Sequence, residues 1–148
     1  MKKSVGNKIL LSIIIPYHQK KKFFHSTIKS IYSQTFKNYE VILIYDDNDY
    51  GEINFVKNQL KKIKNRKLII NKKILGPGLS RNIGIKYAKG KLIAFCDADD
   101  TWHKNKLSEQ IKFMAKNNLK FSHTSYNIIN YNGKKSGQFK IKEKLNYS

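Results

Sequence analysis

Short apolar, β-branched runs alternate along this chain with segments whose apolar residues recur every three or four positions. Residues 10–16, closed by Pro16, form the first such run and predict a buried strand. Phe24, Ile28, Ile31 and Tyr32 then keep helical spacing, which predicts a helix over about residues 24–34. Residues 40–45 predict the second strand. Ile53, Val56, Leu60 and Ile63 mark a second helix, and residues 67–71 a third strand. Gly76, Pro77 and Gly78 break the pattern, and a short helix is expected from about Ser80 to Ala88. Residues 91–96 predict another strand and Leu107 to Ala115 another helix.

Beyond that the character changes. Residues 121–125 and 126–131 read as extended, and Asn132-Gly133 is a hairpin turn signal. From Lys134 onward the chain is polar, rich in lysine and reads as a weakly structured tail. No internal repeat or linker divides the sequence, so residues 1–148 read as a single domain. Strands alternating with helices predict an α/β fold: a mostly parallel sheet with helices on both faces.

Ligands bind such sheets beyond the carboxyl ends of the strands. Pro16-Tyr17, Asp46-Asp47 and Asp97-Ala98-Asp99 all fall at those ends, and parallel neighbours would line one crevice with them. Six of the ten acidic residues lie in two clusters there, Asp46, Asp47 and Asp49, then Asp97, Asp99 and Asp100. Two carboxylates about 4 Å apart repel by roughly 4 kcal/mol at an effective dielectric of about 20. Such clusters call for a cation or bound donors to compensate them.

Composition qualifies this picture. The chain carries a formal charge of +20, which raises nucleic acid or an anionic membrane as partners. All basic residues except Arg66 and Arg81 are lysine, however, and base-reading surfaces favour the arginine fork. The excess reads as a solvated basic surface with weak adhesion to anionic headgroups, and no nucleic acid is expected as a partner. Aromatic content of 12% argues against disorder. Residues 9–15 are too few to cross a bilayer, no signal cleavage site follows, and the single Cys96 reads as a core thiol in a reducing cytosol.

These pieces together resemble the N-terminal, nucleotide-sugar-binding part of a family 2 glycosyltransferase with the GT-A fold. The matching residues are Ser12 to Tyr17, Ser30-Ile31 with Gln34-Thr35, Val41 to Asp47, and Gly78 to Ile85 with Arg81. Ala88 to Gly90, Ile93 to Trp102, and Lys106-Leu107 complete the series. The likeness covers about residues 9–135.

The resemblance implies that Asp46 accepts hydrogen bonds from a base, most often uracil, between walls of Pro16 and Tyr17. Asp97 and Asp99 are then the Asp-x-Asp element, with Asp99 as ligand of Mg²⁺ or Mn²⁺ and Asp97 on the ribose or the metal's water shell. A hard divalent cation suits carboxylate and diphosphate oxygens and neutralises a departing nucleoside diphosphate. Arg81, read at a helix start after a glycine-rich break, suits a diphosphate oxygen or a carboxylate beside the metal ligands. The implied activity is transfer from a UDP-sugar to a saccharide or lipid-linked acceptor in cell-surface polysaccharide synthesis. The implied location is the cytoplasm, with peripheral contact at the inner face of the membrane.

The chain departs from its family where a general base is expected. An inverting transfer needs an Asp or Glu well after the Asp-x-Asp strand, and only Glu109 and Glu143 follow Asp100. The catalytic base is therefore expected beyond this chain, and the fold is expected to be incomplete on its C-terminal side. Other readings are an inactive truncated nucleotide-sugar-binding relative and a basic nucleic-acid or anionic-membrane domain. Residues 97–101 also fit the Asp-x-Asp-x-Thr signature of haloacid-dehalogenase-like phosphatases. That signature belongs near the start of its fold, and here no aspartate follows Asp100.

Overall fold

The computed structural model describes residues 9–141, which fall into two compact units divided between Glu109 and Gln110. The first unit is built on a parallel sheet of β1 (Leu11–Tyr17), β2 (Tyr39–Tyr45), β3 (Arg66–Ile70) and β4 (Leu92–Phe95). The strand order is β3-β2-β1-β4, and each neighbouring pair is parallel. Every residue of β2 is buried, and so is all of β1 except Pro16. That explains why both read as continuous apolar runs rather than alternating ones.

Helices α1 (Lys21–Tyr32), α2 (Ile53–Leu60) and α3 (Pro77–Tyr87) connect the strands. Side chains alternate across a strand, so Ile14 and Tyr17 point to opposite faces of β1. Tyr17 meets the edge of Phe24 in α1, with ring centroids 5.0 Å apart. Ile14 lies against Gly84 of α3, where an added Cβ would sit 2.4 Å from the isoleucine Cγ2. Helices therefore cover both faces of the sheet.

Two boundaries differ from the sequence expectation. Helix α1 begins at Lys21, because the Lys20 carbonyl already accepts the amides of Phe23 and Phe24 at 3.0 and 2.9 Å. Helix α3 begins at Pro77, in the segment expected to be a break. Proline in the first turn loses no intrahelical bond, and Gly76 supplies the turn at φ +82°. What reads as a breaker is a start signal.

Helix α4 (Lys106–Lys116) crosses the division between the units. In the second unit, β5 (Tyr126–Ile129) and β6 (Lys135–Phe139) pair antiparallel, with the Tyr126 and Phe139 rings stacked at 5.1 Å. Gly133 takes φ +75°, and the Asn130 Oδ1 accepts the amides of Asn132 and Lys134, both at 3.0 Å. The expected Asn-Gly turn is there. Residues 135–139, expected in a weakly structured tail, instead form β6, and residues 121–125 are not a strand. The rest of the expected tail, residues 142–148 with Glu143, lies outside the described residues.

Candidate functional site

Strand β1 is the switch point of the first unit. The chain runs from β1 to β2 and β3 on one side, then returns to place β4 on the other. The amide of Asp46 donates to the Tyr17 carbonyl at 2.8 Å, and that of Cys96 to the Ile14 carbonyl at 3.1 Å. The carboxyl ends of β2 and β4 thus flank the end of β1, roughly 10 Å from one another at two strand spacings. Both acidic clusters lie at one end of one sheet.

The first cluster is saturated from within. Asp46 is 3% exposed, and its Oδ1 accepts the Asn71 Nδ2 and the Leu75 amide, both at 2.8 Å. Its Oδ2 accepts the Gly76 amide at 2.7 Å, so one carboxylate holds the loop between β3 and α3. Asp47 accepts the amides of Gln19 at 2.7 Å and Asp49 at 3.1 Å, with the His18 Nδ1 3.8 Å away. Burial opposes ionisation of Asp47. The amides of Asp49, Gln19 and Asn48 and the nearby His18 outweigh it and hold the carboxyl below its usual range.

Two tyrosines secure the loop that follows. Tyr17 and Tyr45 stack at 5.2 Å; Tyr17 donates to the Glu52 Oε2 at 2.6 Å and Tyr45 to the Asp49 carbonyl. Burial, then Asp47 and Glu52, push the Tyr45 hydroxyl up to about 12. Both rings are core groups. The Tyr17 side chain, expected on the base pocket wall, is fully buried, and the neighbouring His18 ring is the exposed one.

Residues 18–20 bridge the two clusters. The His18 Nδ1 bonds the Asp46 carbonyl at 2.8 Å, Gln19 (φ +50°) binds Asp47, and the Lys20 Nζ reaches the Asp99 Oδ2 at 2.7 Å.

The second cluster keeps its carboxylates accessible. The side chain of Asp97 is 51% exposed and that of Asp99 35%. The Arg81 Nη2 donates to the Asp97 Oδ1 at 2.5 Å, and its guanidinium lies 6.0 Å from the Phe95 ring centre. Arg81 acts from the second turn of α3, not from the helix start, because α3 begins at Pro77. Burial, then Asp97 and Asp99, raise the Asp100 carboxyl above its usual range against the opposing pull of Lys106. Burial lowers the Lys106 ammonium in turn, against Cys96 and Asp100. Burial also raises the Cys96 thiol, reinforced by Asp100 and Asp97, so the sulfur is an inert core group.

Helix α1 clasps the segment that carries these aspartates. The Thr27 hydroxyl donates to the Ala98 carbonyl at 2.9 Å, and Ala98 itself is buried. The Trp102 amide donates to the Ser30 Oγ at 3.1 Å. The buried Gln34 donates to the His103 carbonyl at 2.8 Å and accepts the Leu107 amide at 3.1 Å. Ser30 and Gln34 stood in the sequence pattern without a role, and Thr27 stood outside it. Thr27 and Ser30, three residues apart on one face of α1, with Gln34 just past the helix end, form the spacing that could have shown them acting on a common partner.

Pro16, Tyr17, Asp46, Asp97, Ala98 and Asp99 thus gather at the end of β1 and its two neighbours, with Arg81 bonded to Asp97. Glu109 lies in the first turn of α4, and Glu143 is outside the described residues. Among the described residues no group of three or more His, Cys, Asp or Glu side chains is arranged to hold a metal ion. Among them, too, no helix is long and apolar enough to cross a membrane.

An open parallel sheet with accessible carboxylates beyond its switch point defines an α/β domain, and its solved structural neighbours make the fold GT-A. The family model for glycosyl transferase family 2 matches residues 12–147, and the chain belongs to that family. An uncharacterized glycosyltransferase of Rickettsia conorii is 43% identical over 136 residues, 90% of this chain and 22% of that protein. A relative from Escherichia coli is named UDP-Glc:alpha-D-GlcNAc-diphosphoundecaprenol beta-1,3-glucosyltransferase. It is 36% identical over 140 residues, 94% of this chain and 54% of its own length. Among solved structures, S. aureus TarS 1-349 in complex with UDP-GlcNAc matches with a TM-score of 0.65 at 25% identity. That match covers 72% of this chain and 31% of the TarS chain. The chain therefore spans about half, or much less, of the curated relatives it matches.

Proposed function

We propose that this chain forms the donor half of a metal-dependent glycosyltransferase, binding a UDP-sugar for transfer to a saccharide or lipid-linked acceptor. The observation that carries the reading is the contrast between the two clusters. Asp46 and Asp47 are spent on internal amides, whereas Asp97 and Asp99 stand half-exposed, paired with the side chains of Arg81 and Lys20. The second pair is available to a ligand.

Its donor set fits a hard divalent ion. Mg²⁺ is commonly bound through one or two carboxylates, with substrate phosphate oxygens and water completing the shell. Asp99 and Asp97 would hold Mg²⁺ or Mn²⁺, which supplies charge neutralisation of the leaving nucleoside diphosphate. Arg81 contributes a fixed fork donor for diphosphate oxygens from the rigid face of α3. The Asp46 carboxylate, with three of about four acceptor positions filled, orders the wall of the base pocket through the Asn71–Gly76 loop. Pro16 and the exposed His18 ring line that pocket, and Tyr17 contributes by fixing the loop over Glu52.

Two of the similar proteins bear on the substrate. One was solved with UDP-GlcNAc, and another is named for UDP-glucose and a diphosphoundecaprenol-linked acceptor. A lipid-linked acceptor suits a basic protein seated against an anionic membrane face, within a Debye length of its headgroups. The chemistry belongs to cell-surface polysaccharide assembly.

Calorimetric titration of the 148-residue chain with UDP, with and without Mn²⁺, tests this reading. UDP binding is expected to strengthen with Mn²⁺ and to fall at least tenfold in Asp99→Ala. Binding that ignores both the metal and the substitution would remove the metal role. No UDP binding at all would remove the donor-site reading.

A further inference from the structure

We infer that Lys20 is a built-in competitor for the divalent cation at Asp99, coupling metal binding to arrival of the diphosphate. The inference rests on the donor-site reading above. Its basis is the direct pair between the Lys20 Nζ and the Asp99 Oδ2 at 2.7 Å. A cation that takes the Asp99 Oδ2, or both carboxylate oxygens, must displace that ammonium.

The local structure lets the ammonium leave while the backbone stays. Lys20 is the N-cap residue of α1 and its carbonyl accepts the amides of Phe23 and Phe24. On its other side, Gln19 is pinned to the Asp47 carboxylate at 2.7 Å. The main chain is thus anchored, and the side chain above it is 41% exposed. Lysine is a flexible point charge, so one ion pair is exchanged for another without moving the helix. Arg81 differs: its guanidinium lies beside the Phe95 ring and projects from the middle of a helix.

Two opposite consequences follow. With the metal alone, Lys20 lowers affinity by competing for Asp99 and by placing a like charge beside the cation. With metal and nucleotide together, the displaced ammonium remains tethered beside the crevice, where the diphosphate supplies it with anionic oxygens. Lys20 therefore disfavours the metal alone and favours the metal with its nucleotide.

The test compares wild type with Lys20→Met, which keeps the stem and removes the charge. Mn²⁺ binding is read from the free-ion paramagnetic resonance signal, and UDP binding by calorimetry at saturating Mn²⁺. Lys20→Met is expected to bind Mn²⁺ alone about three- to tenfold more tightly, the range of a half-exposed ion pair plus a removed like charge. It is expected to bind UDP with Mn²⁺ correspondingly more weakly. Mn²⁺ affinity unchanged or reduced in Lys20→Met, while Asp99→Ala abolishes it in the wild-type background, overturns the role of Lys20 alone. Absence of Mn²⁺ and UDP binding in every form overturns the donor reading with it. Shifts of both ligands in the same direction mark a general disturbance of the loop and also overturn the coupling.

Discussion

The carboxylate of Asp46 and the amide of Gly76, thirty residues apart in sequence, meet at 2.7 Å. With the Leu75 amide and the Asn71 side chain, this contact makes Asp46 the anchor of the segment that leads into α3. Asp46→Asn keeps one acceptor but turns an N–H group toward a backbone donor. Leaving a buried donor unsatisfied costs about 1–3 kcal/mol. The urea midpoint is expected to fall accordingly, and the amides of Leu75 and Gly76 to exchange faster with solvent. Unchanged exchange at those two amides would show that the loop holds itself.

The glycines of α3 and the turn after it separate close packing from conformational need. A Cβ at Gly90 would lie 2.5 Å from the Ser12 nitrogen and 2.6 Å from the Leu11 carbonyl carbon, backbone atoms inside the central sheet. At Gly84 the obstacle is the Ile14 side chain, which has some freedom to shift. At Gly78, in the first turn of α3, nothing lies within 4 Å. Gly84→Ala is expected to cost about 1–3 kcal/mol and Gly90→Ala more than that. Gly78→Ala is expected to stabilise by about 0.5 kcal/mol through the unfolded chain. Thermal melts of the three variants check the order, and equal effects would contradict it.

Much of this architecture was legible in the residues. The runs at β1 and β2 are apolar because both faces are covered, save Ser12 and Glu40, which bond each other at 2.7 Å. The acid clusters fall just after the two strands that flank β1. Other features were hidden for physical reasons. Tyr17 and Asp46 follow directly on apolar strands and read as exposed site groups. One is a core ring held by Glu52, and the other is filled by amides more than twenty residues away, partners no local pattern shows. Lys20 was one lysine in a run of three, with nothing in its spacing to mark a partner 79 positions on. Pro77 reads as a breaker in the sequence because its role depends on the geometry of Gly76 before it.

Gln34 joins α1 to the segment after the Asp-x-Asp element from a fully buried position. Gln34→Leu conserves much of the volume but leaves the His103 carbonyl and the Leu107 amide without that partner. A loss of about 2 kcal/mol in unfolding free energy is expected from those groups. On the proposed reading, Mn²⁺-dependent UDP affinity falls as well, because Asp97 and Asp99 ride on the same segment through the Thr27–Ala98 bond. A variant with lowered stability and intact UDP affinity would confine Gln34 to a structural role.

Arg81 and Lys are not equivalent above Asp97. The guanidinium has several donors in a fixed plane, so it retains Asp97 while offering others to a diphosphate, and an ammonium lacks that fork. A charge-assisted bond of this kind contributes about 1.5–3 kcal/mol. Arg81→Ala is therefore expected to weaken UDP binding in Mn²⁺ by about ten- to a hundredfold, with Arg81→Lys recovering only a part. Calorimetry on both variants reads the difference. Full recovery by lysine would reduce Arg81 to a point charge.

Asp47 gives the fold an acid-sensitive joint between β2 and the residues leading into α1. Its carboxyl is buried, which by itself favours the neutral form, yet amides from Asp49, Gln19 and Asn48 with His18 hold it below the usual range. A carboxyl whose value is lower in the folded chain than in the unfolded one binds its proton first on unfolding. Its stabilisation is then complete above the ordinary carboxylate value, about pH 4, and is lost as the pH falls through the depressed folded value. Asp47→Asn is expected to lower stability at neutral pH by about 1 kcal/mol and to flatten the decline below pH 4. The melting temperature followed from pH 7 to pH 2.5 in both proteins measures the slope. Parallel acid limbs would mean that other carboxylates set the decline, and that the Gln19 amide gains nothing from the charge on Asp47.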